Sequence, residues 1–246
     1  SNNTALGYEA MDQNTTGTSN TAVGGLTLDA NTTGHNHTAV GYEALTANTT
    51  GGNNTALGRS ALKSNTIGTQ NTAVGGALQY NTTADNNTAV GYAAMDQNTT
   101  GANNVAVGSA ALDANTTGGN NTALGKDAGS GHTTGSNNTS VGKAALISAN
   151  TGSNNTALGE AAGADIVGGT NNICIGHDSG RSNSPLQVIG ANNKIVLGNN
   201  STDGCHIKVD WTVSSDQRDK TDIQDITTGL DFVNQLKPKS FWFKKE

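Results

Sequence analysis

Side chains able to do chemistry are few in this sequence and widely spaced. His35 and His37 flank a single asparagine, a spacing that puts two imidazoles on one side of an extended strand. In a symmetric assembly such pairs could converge on a metal ion at the axis. The stretch falls in a corner between repeats, so His35 and His37 stand only as candidates and no metal centre or cofactor is assigned. Glu9, Glu43, Glu160 and the aspartates are scattered, whereas glycoside hydrolysis needs two converging carboxylates. "GKDAG" at 125–129 and "GKAAL" at 142–146 lack the upstream glycine and the Ser/Thr of a phosphate loop. Two cysteines, Cys174 and Cys205, are too few for a disulfide scaffold. Cys174 reads as a small packed residue, and Cys205 as free or paired across chains.

The elements that must carry these residues are poor in core material. The chain has 246 residues with 33 glycines, 2 prolines, 33% hydrophobic and 4% aromatic residues. Its net charge of -6 lies wholly in residues 1–215, because the last 31 residues carry 6 charges of each sign. Nothing is basic enough for nucleic acid. No signal peptide and no apolar run of membrane-spanning length is present, so membrane insertion is not expected. With no initiator Met, the sequence reads as a fragment of a longer chain.

A repeat sets the organisation. The phrase Asn-Thr-Ala-(Val/Leu)-Gly recurs with its Thr position at 4, 21, 38, 55, 72, 88, 105, 122, 139, 156 and 173, a 17-residue period broken once by a 16-residue step. Such a period signals a solenoid whose coils bury their apolar faces only by stacking. No Asn-Gly dipeptide occurs, so the strongest hairpin signal is missing and parallel stacking is favoured. Eleven coils at roughly 4.8 Å each make a rod of about 50 Å.

The columns of the repeat predict facing. The Thr column admits Val105 and Ile173, and the column two further on is always Val, Leu or Ile; both are expected to point into the coil. Between them stands Ala, with Ser140 and Cys174 as exceptions. This residue is expected on the opposite face, where its small size would let sister chains approach backbone to backbone in a homo-oligomer. Glycine closes each strand at a corner. Asn14, Asn31, Asn48, Asn65, Asn81, Asn98 and Asn115 form a second corner, where stacked amides can bond from coil to coil. The segment after each glycine, such as "YEAL" at 42–45, fits either a short strand or one helical turn.

These Gly-punctuated Asn-Thr-Ala-Val-Gly coils, over about residues 1–180, resemble the head repeats of trimeric autotransporter adhesins. That resemblance implies a parallel β-roll in which three chains pack side by side. Those heads usually have a shorter coil and an Asn-Ser-Val-Ala-Ile-Gly phrase.

The C-terminal end differs in kind, holding 12 of the 32 charged residues within 216–246. Ser215-Asp216-Gln217-Arg218-Asp219-Lys220, then Ile223 and "GLDFVNQLKPKSFWFK", closely resembles the start of the endosialidase-type intramolecular chaperone of bacteriophage tail spikes and tail fibres. The resemblance implies a domain that trimerises the fibre and then cuts itself off. Carried over, the bond is Ser215 to Asp216, with Ser215 as nucleophile and Lys220 as the lysine that assists it. A hydroxyl needs a base, and a desolvated lysine can serve. That family's domain continues beyond the length present here, so the chain is expected to be truncated. Thr227 or Thr228 can cap a short helix with Leu230, Val233 and Leu236 on one face, stopped by Pro238.

The sequence therefore predicts an all-β, parallel β-solenoid (β-roll) of about eleven 17-residue coils over 1–180. A neck follows over 181–215, with strands around Asp203-Gly204 and Trp211 as a plug between chains. The N-terminal part of a small α+β chaperone occupies 216–246. The expected function is structural and adhesive: a homotrimeric tail fibre or tail spike of a virion. Its partners would be other tail-fibre or baseplate proteins and a host cell-surface receptor, glycan or protein, with the neck as a candidate contact. No enzyme activity beyond single-turnover self-cleavage is expected. The alternatives are a trimeric adhesin head on a bacterial surface and an ice-binding solenoid, the latter opposed by Ile67 and Val167 within a Thr column.

Overall fold

A computed structural model describes residues 2–182 and 188–204. The chain divides into two units, 204–246 and 1–203, and all but one of the described residues lie in the latter. It is all-β, with no helix among the described residues. Twelve three-residue strands form one sheet in strict chain order: β1 (Thr4–Leu6), β2 (Thr21–Val23), β3 (Thr38–Val40), β4 (Thr55–Leu57), β5 (Thr72–Val74), β6 (Thr88–Val90), β7 (Val105–Val107), β8 (Thr122–Leu124), β9 (Thr139–Val141), β10 (Thr156–Leu158), β11 (Ile173–Ile175) and β12 (Ile195–Leu197). Every neighbouring pair is parallel, and equivalent repeat positions face one another, as in Thr21↔Thr38, Ala22↔Ala39 and Val23↔Val40. The predicted solenoid is therefore present. β12, inside the segment read as a neck, continues the sheet by pairing in parallel with β11.

The facing of the columns is the reverse of that expected. Ala22, Ala39, Ala56, Ala73, Ala89, Ala106, Ala123 and Ala157 are fully buried inside the coil, as are Ser140 and Cys174. The flanking Thr and Val/Leu side chains point outward: Val40, Leu57 and Leu124 remain 39%, 37% and 39% exposed. The reason is space. The opposite wall sends in a large residue at each level (Leu28, Leu45, Leu62, Leu78, Met95 and Leu112, all fully buried), and a coil this narrow has room for only a methyl opposite it.

That opposite wall is neither strand nor helical turn. In "YEAL" Glu43 and Leu45 both have positive φ, 57° and 52°, so the chain flips around Ala44 and buries Ala44 and Leu45 in succession. Left-handed backbone is costly for such residues, on the order of 1–2 kcal/mol each. The inter-coil hydrogen bonds run alternately to the coil before and the coil after, as Glu43 N–H to the Gly25 carbonyl (3.0 Å) and Leu45 N–H to the Ala61 carbonyl (3.0 Å). At the strand-closing corner Gly41 has φ +134°, and a Cβ built there would stand 2.5 Å from the Gly58 carbonyl oxygen. Close stacking of corner on corner therefore excludes any side chain.

Two amide ladders run along the stack. Each corner asparagine donates through Nδ2 to Oδ1 of its predecessor: Asn48 to Asn31, Asn65 to Asn48 (both 2.9 Å) and Asn81 to Asn65 (2.8 Å). This is the predicted coil-to-coil bonding. The second ladder, formed by the asparagine that precedes most strands, was not expected. Its Oδ1 accepts the next coil's backbone N–H, as Asn71 N–H to Asn54 Oδ1 (2.9 Å), while its Nδ2 donates to a carbonyl 14 residues on, as Asn104 to Gly118 (2.9 Å). Buried polar groups carried by a narrow coil are thereby paired instead of left bare.

The corner ladder ends at Asn115. Past it the same position holds His132, Ala149, Ile166 and Val188, all fully or almost fully buried. The change is compensated within each coil: where the opposite-wall leucine becomes Gly129, Gly163 or Gly180, the corner residue becomes His132, Ile166 or Val188. A Cβ on Gly163 would lie 2.8 Å from Leu146 Cδ2 and 3.1 Å from Ile166 Cδ1; one on Gly180 would lie 2.7 Å from Val188 Cγ2. The large side chain has moved from one wall to the other.

Candidate inter-chain face

With alanines inward, the outer face of the sheet carries the first and third residue of every strand. In-register stacking makes these a continuous stripe of Thr beside Val, Leu or Ile. Leu158 and Ile175 are 49% and 40% exposed, and Val105, Val107, Leu197 and Ile195 are exposed as well. An unbroken apolar stripe over twelve rungs, roughly 50 Å long, is more than scattered surface aliphatics and has the character of an interaction surface. The alanines offer no such surface, because their methyls are already covered inside the coil.

The structure separates the two histidines. Asn36 between them has φ +60°, which breaks strand alternation, so His35 is exposed and His37 is buried. His37 stands in the second amide ladder in place of asparagine. Its Nε2 is 2.7 Å from the Gly51 carbonyl, and its Nδ1 accepts the Asn54 backbone N–H at 3.3 Å. These partners select the neutral Nε2–H tautomer, which copies the donor and acceptor of the amide it replaces. Burial pushes its pKa down to about 4. Among the described residues no group of three metal-ligating side chains occurs.

His132 is buried with neither ring nitrogen hydrogen-bonded, and Oδ1 of Asn115, the last amide of the corner ladder, also has no partner. Burial holds His132 neutral, with a pKa down at about 4. Cys174 is free and buried in β11, its thiol pushed up to about 11 by burial. It is a small packed residue, as expected.

Glu43 and Glu160 are each taken up by a lysine of a neighbouring coil. Glu43 pairs with Lys63 (2.8 Å) and Glu160 with Lys143 (3.0 Å), and hydrogen bonding to these lysines holds both carboxyls below their usual range. Such exposed pairs between neighbouring coils each add little stability. The hydroxyls of Thr32, Thr49, Thr82, Thr99 and Thr116 donate to carbonyls of the following coil at 3.0 Å, so that column is occupied in holding coils together.

Ser215, Asp216, Lys220, Cys205, Trp211 and the segment expected to hold a capped helix lie outside the described residues. Sequence comparison addresses them. Residues 215–246 match the family described as Chaperone of endosialidase. The match begins at the serine expected as nucleophile and runs through the dense charged segment. No curated protein and no solved structure matches the chain. A Chaperone of endosialidase segment following a β-solenoid fits a trimeric fibre- or spike-type structural protein. No helix among the described residues is long and apolar enough to cross a membrane.

Proposed function

We propose that this chain carries the shaft and an assembly segment of a homotrimeric bacteriophage tail fibre or tail spike that attaches the virion to a host surface. The observation that carries the reading is the succession, in one chain, of a twelve-rung parallel solenoid and the chaperone match at 215–246. The solenoid supplies stiffness through its ladders, and the exposed Thr/Val/Leu stripe is the face through which three copies pack. The chaperone segment brings the chains together, and Ser215, assisted by Lys220, then cleaves the Ser215–Asp216 bond. The Ser215 hydroxyl of one chain, passing its proton to Lys220, attacks the Ser215 carbonyl of a sister chain, since on its own it would close a four-membered ring; the proton goes to the departing amine of Asp216 and water hydrolyses the resulting ester to the free acid, a single turnover with water as the only other reactant.

The test is the mass of the full-length gene product, denatured and native, beside Ser215→Ala. The expected results are a trimer of shortened chains for the unmutated protein and a trimer of intact chains for the variant. An intact unmutated chain would remove the cleavage, and a stable monomer would remove the assembly. Antibody labelling that decorates bacterial cells and not virions would replace the fibre by a cellular adhesin. Val107→Lys, on the outer face, should convert trimer to monomer, whereas Ala106→Val, inside the coil, should lower thermal stability without selectively dissociating the chains.

A further inference from the structure

The single 16-residue coil, between Thr72 and Thr88, opens a cleft. In most other coils the residue two past the strand-closing glycine donates its N–H to the preceding coil, as Ser60 to the Tyr42 carbonyl (2.9 Å) and Ala110 to the Tyr92 carbonyl (3.0 Å). The corresponding bonds to the Arg59 and Gly76 carbonyls do not form, so one missing residue leaves two consecutive rungs open on that wall. The result is a cleft of about 320 Å³ lined by Arg59, Ser60, Gly75, Gly76, Gln79 and Tyr92, at the small end of the ligand-pocket range.

The chemistry of the lining is specific. Reading along the column just after the strand glycine, Arg59 and Tyr92 flank Gly76, whose absent side chain leaves a gap two rungs, or about 10 Å, from one to the other. Tyr92 is 77% exposed. Arg59 is exposed and forms no salt bridge among the described residues; the nearby Glu43 is bound by Lys63 at 2.8 Å and contacted by the Ser60 hydroxyl. Gln79 completes the lining from the wall of the short coil. A flat aromatic face, a guanidinium outside any salt bridge, an amide and open backbone carbonyls meet at one notch. The negative π-face of tyrosine suits the C–H-rich face of a pyranose, and guanidinium suits a carboxylate through two parallel hydrogen bonds.

We propose that this cleft binds a saccharide bearing a carboxylate, its ring stacked on Tyr92, its acid group held by Arg59 and its hydroxyls met by Gln79 and the free carbonyls of Arg59 and Gly76. The inference deepens the attachment reading, on which its biological purpose rests, by naming the ligand class and placing it on the shaft. The probe pair is methyl β-glucuronide and methyl β-glucoside, which differ only in the acid group, titrated against the assembled full chain by saturation-transfer NMR. The glucuronide should bind at least roughly fivefold tighter. Arg59→Ala and Tyr92→Ala should each weaken it about tenfold, as expected for loss of a charge-assisted pair or a stacked ring, while Tyr92→Phe retains binding. Both side chains are exposed, so thermal unfolding should be unchanged.

Equal binding of the two sugars, indifference to both alanine variants, no saturation transfer at all, or burial of Tyr92 by a sister chain in the assembled protein would each overturn the site. If the glucuronide binds as described but assembled fibres ignore cells bearing acidic surface polysaccharide, the site stands and the attachment reading falls.

Discussion

The first seven coils and three of the last four, those with Gly129, Gly163 and Gly180, build the same interior by opposite means. In coils beginning with β1 to β7 the strand contributes alanine, the opposite wall a leucine or methionine and the corner an asparagine; the buried apolar residues there form one cluster reaching Ala128. From β8 onward the corner turns progressively apolar and a second cluster forms from Ala145 to Val196. At each level from Leu28 to Val188 one large side chain fills the interior, and which wall supplies it varies. What is given up is the amide ladder, whose last member, Asn115, keeps an unpaired oxygen beside an imidazole that donates to nothing.

The largest expected effect that sharpens this contrast is Asn65→Leu. It removes the donor to Asn48 Oδ1 (2.9 Å) and Gly68 O (3.0 Å) and the acceptor of Asn81 (2.8 Å), and stranding such buried groups should cost about 3–5 kcal/mol in urea unfolding. Ile166→Leu, in the apolar half, conserves volume and should cost less than about 1.5 kcal/mol. Equal losses would dissolve the distinction. Next comes the border coil. Gly129→Leu alone overpacks against Leu112 and His132, since even a Cβ would meet them at 3.1 and 3.2 Å, and His132→Asn alone leaves a void; each should cost about 1–3 kcal/mol. Together they restore the pattern of the first seven coils, so the double variant should be close to unmutated stability. A coupling energy below about 0.5 kcal/mol would show that the two walls do not share one space.

Acid should find the histidines before the rest of the stack. His37 and His132 have folded pKa values lowered to about 4 from 6.5, so between these limits the unfolded chain binds more protons and stability falls as pH drops. Asp96 and Asp113, whose pKa values burial raises, act in the opposite sense near the carboxylate range, so the slope is best read from pH 6.5 to about 5. His132→Asn should flatten that slope, by about 1 kcal/mol over the interval; an unchanged slope would remove His132 as its source. Smallest of all, Cys174→Ala should alter stability by less than about 1 kcal/mol, and the unmutated thiol should resist alkylation until the chain unfolds.

Much of this fold was legible in the sequence and one decisive part was not. The 17-residue period, the strand-closing glycines and the Asn14-to-Asn115 column spelled out a parallel stack with bonded amides, and the stack is there. Alternation of Thr, Ala and Val tells a reader that two faces exist without saying which is inside. Exchange of Thr4-type residues for Val105 and Ile173 suggested burial, yet it is equally permitted on a half-exposed surface. The informative signals were the small size shared by Ala, Ser140 and Cys174 and the buried leucine across from them, because together they measure the width of the coil. The cleft was hidden for a related reason: a one-residue shortening looks like noise in a period and becomes a site only when the missing rungs are seen in space. Of the residues proposed for self-cleavage, Ser215, Asp216 and Lys220, the sequence alone speaks, through their place in the chaperone match.

Because every strand meets only its equivalents directly above and below, the molecule has no level that depends on the total. Its reach is a tally kept in the gene: duplicating one 17-codon unit lengthens the shaft by about 4.8 Å, and deleting one shortens it by the same step. Selection on rod length can thus proceed by recombination between near-identical segments, without reinventing a single contact.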